Sequence, residues 1–216
     1  MADEPARMDR LEIASAIILL ISALASAAAT YEAGLWDGEQ AAHYSRANTL
    51  RVEASQAALE GDVVASAQMR VFDAWLQAKA RKEDALAGFY EARMPPGFKP
   101  AFTAWLAEQP LQNPSAPESP FVTPGYQRPG RDEAARLDAE AAKAFANGQY
   151  ANSVSDAYQQ GAALLAIALF FGGIVQIFRV RGARVAMLAI ASLATVAGLL
   201  RLLTLPVQVL GWHAPS

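Results

Sequence analysis

Cysteine is absent from this chain of 216 residues. Without thiol groups the protein can form neither disulfides nor thiolate nucleophiles, and it offers no cysteine ligand for zinc or for iron–sulfur clusters. Histidine is almost as scarce, with His43 and His213 as the two examples. Glu39 and His43 lie one helical turn apart, but a single pair is too few for a metal site and is typical of a contact on an exposed helix face. We therefore expect neither a metal nor another cofactor.

A net positive charge and the common catalytic motifs are also missing. The formal net charge is −3, and no stretch interleaves basic with aromatic side chains, which argues against a nucleic-acid partner. The chain has no phosphate-binding loop, dinucleotide fingerprint or nucleophile elbow. The acidic residues between 132 and 140 are typical of a solvated helix face. These absences predict a protein that is not an enzyme.

The chain does contain three long apolar runs, at residues 11–30, 161–178 and 185–205. Runs of about 20 apolar residues can cross the hydrocarbon of a bilayer as α-helices, because a helix satisfies its backbone polar groups internally. The first run also resembles a signal peptide, with Arg7 and Arg10 before it and small residues at 27–29. Its length favours a span that is retained. The sequence thus predicts three transmembrane helices.

Arginine placement predicts how these helices are oriented. Three arginines and no acidic residue occupy the turn at residues 179–184, namely Arg179, Arg181 and Arg184. Basic residues near span ends are held on the cytoplasmic side, so this turn and the N-terminal residues 1–10 are both expected in the cytoplasm. Residues 31–160 and the tail at 206–216 then lie outside it. We expect a multi-pass protein of the bacterial inner membrane whose soluble part is mostly periplasmic.

The segment between the first two runs, residues 31–160, is predicted to be a helical domain. It shows no β-branched alternation flanking a tight turn, which would indicate strands. A helix at 39–60, a break at Gly61 and a second helix at 62–93 would together form an antiparallel hairpin. Another amphipathic helix begins at residue 131 and is predicted to end at Gly148.

A proline-rich segment, residues 95–130, contains nine of the twelve prolines. Proline lacks a backbone donor and disfavours helix in the residue before it, so this segment cannot be one continuous helix or a central strand. There is room for a short helix at 100–109. The segment also carries Trp105, Phe121 and Tyr126, and such aromatic residues are rare in disordered linkers. We expect a strap that packs over the helical hairpin, and a loop that docks a partner is the alternative.

Arg201 is the ionisable residue within the third apolar run. Charges inside a membrane are costly and therefore mark functional candidates. Arg201 lies about 24 Å of helix rise from the start of its run, so its side chain can extend to the outer interface. We expect a structural ion pair with Glu32, Asp37 or Asp156, and a pore-lining or anion-attracting role in an oligomer is the alternative. Glu12 is expected to pair in the same way with the arginine turn.

The order of these segments is similar to that in a group of uncharacterised bacterial inner-membrane proteins. Those proteins have one N-terminal span, a helical external domain of unknown function and a C-terminal pair of spans. The similarity rests on Trp-Asp-Gly-Glu-Gln-Ala-Ala-His-Tyr at residues 36–44 and on Asn-Ser-Val-Ser-Asp at residues 152–156. It implies the layout described above and brings no particular activity with it.

Together these observations predict an all-α membrane protein with three transmembrane helices, a helical extramembrane domain and a proline-rich strap. The expected partners are the lipid bilayer and either further copies of this chain or another membrane protein. The absence of catalytic groups favours a structural or accessory subunit that acts through its external domain. An oligomeric channel or transporter is one alternative, and a ligand sensor that signals through another protein is a second.

Overall fold

The computed structural model describes residues 10–208, and within that range it is helical without strands. The α-helices are α1 (Arg10–Ala80), α2 (Asp84–Ala92), α3 (Lys99–Ala107), α4 (Arg131–Ile174) and α5 (Arg181–Leu203). One turn of 3₁₀-helix, Pro120–Val122, lies between α3 and α4. Most of the predicted cytoplasmic N-terminus, including Arg7, and most of the predicted external tail, including His213, lie outside the described residues.

Three of these helices, α1, α4 and α5, are long and apolar enough to cross a membrane. This confirms the prediction of an all-helical chain with three membrane-length apolar helices. The ends of the second and third apolar helices differ from the predicted ones. Helix α4 stops at Ile174, and α5 already begins at Arg181, because arginine and alanine favour helix and can extend α5 into the predicted turn.

Two glycines that predict helix ends lie inside helices. Helix α1 continues through Gly61 and α4 continues through Gly148, so the predicted break at Gly61, and with it the hairpin, is wrong. A glycine inside a helix costs only about 1 kcal/mol relative to alanine, which tertiary packing readily offsets. Helix α1 instead ends at Ala80, before Lys82, whose φ of 60° lies in the left-handed region.

The chain divides into two compact units. The first consists of Met1–Arg46 and Ala144–Ser216, and the second of Ala47–Lys143. Helices α1 and α4 each contribute residues to both.

In the first unit, the apolar helices bury mostly small or hydroxyl-bearing side chains and expose many large apolar ones. The buried positions include Ser15, Ser22, Ala29, Ala168, Ala191, Thr195 and Gly198. The exposed positions include Ile17, Leu20, Leu24, Phe170, Leu193 and Leu200. This arrangement is the reverse of that in a water-soluble helical bundle, whose core is made of its large apolar side chains.

The second unit has an aromatic core, which consists of Phe72, Trp75, Phe98, Phe102 and Trp105. Helix α1 supplies the first two of these side chains, and α3 with the residue before it supplies the rest. Trp75 is fully buried, and its ring meets that of Phe102 edge-on with 5.0 Å between the centroids. The unit therefore has the large apolar interior that a domain in water requires.

Candidate functional site

Buried hydroxyl groups join the apolar helices of the first unit. Ser15 Oγ on α1 donates to Gly172 O on α4 across 2.9 Å. Ser22 Oγ on α1 lies 2.9 Å from Thr195 Oγ1 on α5. Since Thr195 already donates its only hydroxyl hydrogen to Ala191 O, Ser22 is the donor in that pair. These contacts hold α1 against both of the other apolar helices.

A groove of about 440 Å³ opens in the first unit where the apolar run of α1 ends. Its apolar walls include Ala28, Ala29 and Tyr31 from α1, and Leu199, Leu202 and Leu203 from α5. Gly161 on α4 allows Leu202 to pack directly against it, because a Cβ at Gly161 would come within 2.5 Å of Leu202 Cδ2. The alanines leave the space between the two helices open.

Two buried polar side chains also line the groove. Glu32 is 6 % exposed, and its Oε2 accepts a hydrogen bond from the backbone N–H of Gln208 across 2.9 Å. Tyr158 is also buried, and its hydroxyl donates to Pro206 O across 2.9 Å. These two bonds fix the chain that leaves α5 beside the groove.

The structure does not bring Arg201 to any of its three predicted partners. Arg201 is exposed in the last turn of α5, and among residues 10–208 no carboxylate lies within ion-pair distance of its guanidinium. Asp37 is exposed, and Asp156 accepts a hydrogen bond from Asn152 Nδ2 across 3.1 Å. The buried stripe of α5 passes through positions 191, 195 and 198, and its spacing leads next to position 202. That spacing could have shown that Arg201 lies off the buried face.

The arginine turn does meet α1. Arg184 Nη2 lies 3.5 Å from Glu12 Oε1, and the Arg184 side chain is largely shielded from solvent. Arg179 and Arg181 are exposed. The contact ties the start of α5 to the start of α1.

The three aromatic residues singled out in the proline-rich segment all face the interior of the second unit. Trp105 is buried, and its Nε1–H donates to Pro117 O across 2.7 Å. Phe121 stacks on Phe98 with 4.6 Å between the ring centroids. The Tyr126 hydroxyl donates to Gln68 Oε1 across 2.9 Å. These side chains contribute to the unit's own core and do not form an exposed binding surface.

Tyr126 also has a perturbed acidity. Burial raises the pKa of its phenol above the ordinary value of 10.0, because the charged phenolate is disfavoured away from water. The positive charge of Arg128 opposes part of this increase in pKa. The phenol is therefore neutral over the physiological range and can act as the donor to Gln68.

A close backbone contact in the second unit was not anticipated from the sequence. Gly61 on α1 packs against the carbonyl of Pro129, and Gly130 packs against the carbonyl of Ala57. A Cβ on either glycine would overlap the opposing carbonyl oxygen, and Gly130 also has a φ of 74°. Both residues must therefore be glycine for the end of the proline-rich segment to reach α1.

Polar side chains on the second unit offer no evident catalytic arrangement. Arg128 and Asp62 form an exposed ion pair with 2.7 Å between Nη2 and Oδ1, beside an open cleft of about 610 Å³. Arg136 bonds both Glu133 and Glu140 on the exposed face of α4, which lowers the pKa of Glu133. Within residues 10–208 no group of three or more histidines and carboxylates could hold a metal ion. Paired surface charges of this kind are common in proteins and carry little energy.

No protein-family model, curated protein or solved structure matches this chain.

Proposed function

We propose that this protein is a three-span integral membrane protein of the bacterial inner membrane that serves as a structural or accessory subunit. Residues 31–160 lie outside the cytoplasm and bind a partner or further copies of the chain. The observation that carries the proposal is the reversed burial pattern of α1, α4 and α5. Leu24 is 65 % exposed, Phe170 63 % and Leu193 72 %, whereas Ser22 and Ala191 are fully buried.

This pattern fits lipid and not water as the surroundings of the first unit. In water each exposed leucine or phenylalanine would forgo about 1.5–3 kcal/mol of burial, and so many on neighbouring helices would favour aggregation. In a bilayer the lipid tails solvate these side chains equally well. Helices then associate through close packing of small residues and hydrogen bonds, as Ser15, Ser22 and Thr195 do here.

The proposed orientation depends on the three arginines beside and within the start of α5, which favour the cytoplasmic side. The absence of native cysteine gives a clean test, because any introduced thiol is the single one in the chain. Ser115 and Gly182 are both exposed and lie in the proposed external domain and at the proposed cytoplasmic end of α5. Ser115→Cys should react with a membrane-impermeant maleimide in intact spheroplasts, whereas Gly182→Cys should react only after lysis. The opposite pattern would reverse the topology, and labelling of both in intact spheroplasts would contradict a crossing of the membrane by α4.

The contacts of the proline-rich segment support its role as a strap on the external domain. Its aromatic side chains fill the core of the second unit, and Tyr126 bonds Gln68 on α1. A segment whose aromatic side chains are part of the core stabilises the domain, so a partner would bind elsewhere on the domain. This favours a rigid binding module over a flexible docking loop.

An accessory role also agrees with the interior of the first unit. Leu165 and Val175 are fully buried there, and Ser15, Ser22 and Thr195 use their hydroxyls in bonds between or within helices. A polar path through one copy is thus not evident among the described residues. Light scattering of the detergent-purified protein should show more than one copy or a second protein in fixed proportion. A monomer without a companion would contradict the proposal.

One observation favours the channel as the second candidate. Arg201 presents an exposed charge on the part of α5 that follows Arg184 and is otherwise uncharged, and several copies could turn this charge toward a shared axis. Planar-bilayer recordings of the wild type and of Arg201→Leu test this directly. Conductance whose anion selectivity falls in Arg201→Leu would replace the accessory role by the channel, and silent bilayers would exclude the channel.

A further inference from the structure

We propose that an exposed stripe on α1 in the second unit pairs with the same stripe of a second copy of this chain, with the two helices parallel. The α1 stripe consists of Val52, Gln56, Leu59, Val63 and Ser66. This inference rests on the proposed function, in which the external domain binds further copies or another partner. It selects the second copy and assigns the surface that meets it.

The α1 stripe carries three large aliphatic side chains that the second unit leaves uncovered. Val52 is 55 % exposed, Leu59 65 % and Val63 67 %. They lie within about three helical turns on one face of α1, opposite to the buried residues Ala54 and Gly61. Covering the three together would remove apolar surface from water, which is favourable. A surface from outside the chain is needed to do so, because the unit's own core is built from other side chains.

The spacing of the α1 stripe is that of a two-helix coiled coil. Its positions are separated alternately by four and three residues, and this average repeat of 3.5 keeps one face of a helix against a partner helix. Val52 and Leu59 are one heptad apart, as are Gln56 and Val63. All positions of the stripe are uncharged, so the pairing buries no ionised side chain. A second α1 in the same register presents a matching repeat.

The charges beside the α1 stripe favour parallel pairing. Glu53 and Glu60 lie on one flank, and Asn48, Ser55 and Asp62 lie on the other. In an antiparallel pair each flank meets its own counterpart, so Glu53 of each copy would face Glu60 of the other, and like charges repel. In a parallel pair opposite flanks meet, so Glu53 faces Asn48 of the second copy and Glu60 faces Ser55. The parallel arrangement brings no two acidic residues together.

The proposed membrane insertion supports the same direction. Copies inserted with the same topology bring α1 out of the membrane in the same chain direction, since α1 is one continuous helix. Copies that share one bilayer also meet at a higher effective concentration than molecules free in solution. This favours pairing through a stripe of only about four helical turns.

The absence of native cysteine allows the pairing to be mapped by disulfides. Val52→Cys, Leu59→Cys and Val63→Cys are made singly in the full-length protein, which is reconstituted in vesicles and oxidised with copper phenanthroline. In a parallel pair each stripe residue lies close to its own copy, so all three variants should give a product with the mass of two chains. Val64→Cys is the matched control and should stay monomeric, because Val64 is also an exposed valine but lies off the stripe.

The pattern of products decides the inference. No product from any of the three stripe variants would overturn it, and so would a yield from Val64→Cys equal to that from Val63→Cys. Product from Leu59→Cys alone would indicate an antiparallel or crossed pair and would contradict the parallel register.

A charge placed in the α1 stripe gives a second test. In the Val52→Cys protein, Leu59→Glu sets two like charges opposite each other and should lower the yield of the two-chain product at least about tenfold. Val64→Glu in the same protein is the control and should leave the yield unchanged. Both positions are exposed, so neither substitution disturbs the core of the unit. Equal yields from the two variants would refute the role of the stripe.

Light scattering of the purified wild type distinguishes failure of this inference from failure of the proposed function. A wild type that contains several copies, while the stripe variants give no disulfide, contradicts the assignment of the α1 stripe alone. A monomer without a companion protein contradicts the proposed function as well.

Discussion

The same substitution, glycine to alanine, can be made in the second unit at an obstructed helical position, Gly61, and at an open one, Gly88. Both glycines lie inside helices, Gly61 in α1 and Gly88 in α2. A Cβ added at Gly88 meets nothing within 4 Å. A Cβ added at Gly61 overlaps the carbonyl of Pro129 and lies 3.1 Å from Gly130 Cα. The obstructing atoms at Gly61 belong to the backbone and cannot move aside by changing rotamer.

The two substitutions should therefore change the free energy of unfolding in opposite directions. Replacing an unobstructed helical glycine with alanine stabilises by about 1 kcal/mol, which is the expectation for Gly88→Ala. Gly61→Ala gains the same helix propensity but adds an overpacking penalty of about 3 kcal/mol, at the upper end of the usual range because the clash is with backbone. Its net effect should be a loss of about 2 kcal/mol. The two variants should thus differ by about 3 kcal/mol.

Urea unfolding of the full-length protein in detergent, followed by tryptophan emission, measures this difference. Trp75 and Trp105 lie in the aromatic core, so their emission reports on the second unit. With a denaturant slope of about 2 kcal/mol per molar urea, the two midpoints should lie about 1.5 M apart, on either side of the wild type. A Gly61→Ala midpoint at or above that of the wild type would refute the backbone contact with Pro129.

Two further predictions concern individual hydrogen bonds. Ser22→Ala should lower the stability of the first unit against SDS-induced unfolding by about 0.6–1.7 kcal/mol, because it removes the donor to Thr195. Ser192→Ala is the control and should have little effect in the same assay, because it loses a hydrogen bond only within its own helix. Equal effects would contradict a role in helix association. Tyr126→Phe should cost about 0.5–1.5 kcal/mol at neutral pH by removing the bond to Gln68. Because the folded pKa of Tyr126 is raised, the wild type should also lose stability as the pH rises above about 10 and through that folded value, and the variant should lose less. Parallel pH profiles for the two proteins would contradict the raised pKa.

Local sequence signals predicted most of the helical elements. The three apolar helices could be predicted from the length of the apolar runs and their lack of charge. The short helix expected at 100–109 corresponds to α3, because the stretch between two prolines is long enough for a short helix and contains apolar residues. The start of α4 at Arg131 was equally visible, since the prolines end at 129. These features depend on residues that are close together in the chain.

The errors came from contacts between residues that are distant in the chain. Gly61 and Gly148 are weak helix formers. The neighbouring sequence does not show that Pro129 packs against Gly61, or that the Tyr44 ring packs against Gly148. A glycine that ends a helix and one that admits a neighbour are identical in sequence. The same limit applies to the groove, whose residues come from α1, α4, α5 and the segment after α5.

The hydrogen bonds of α1 have a consequence for biosynthesis. Ser15 and its acceptor are 157 residues apart, and Ser22 and Thr195 are 173 apart. At a synthesis rate of about 5–20 residues per second, the serines of α1 are made about 8 to 35 seconds before their partners. During that interval each serine can satisfy its hydroxyl on a carbonyl of the preceding helical turn. The arrival of α4 and α5 then exchanges a bond within one helix for a bond between two, so neither serine hydroxyl depends on the later helices for its first hydrogen bond.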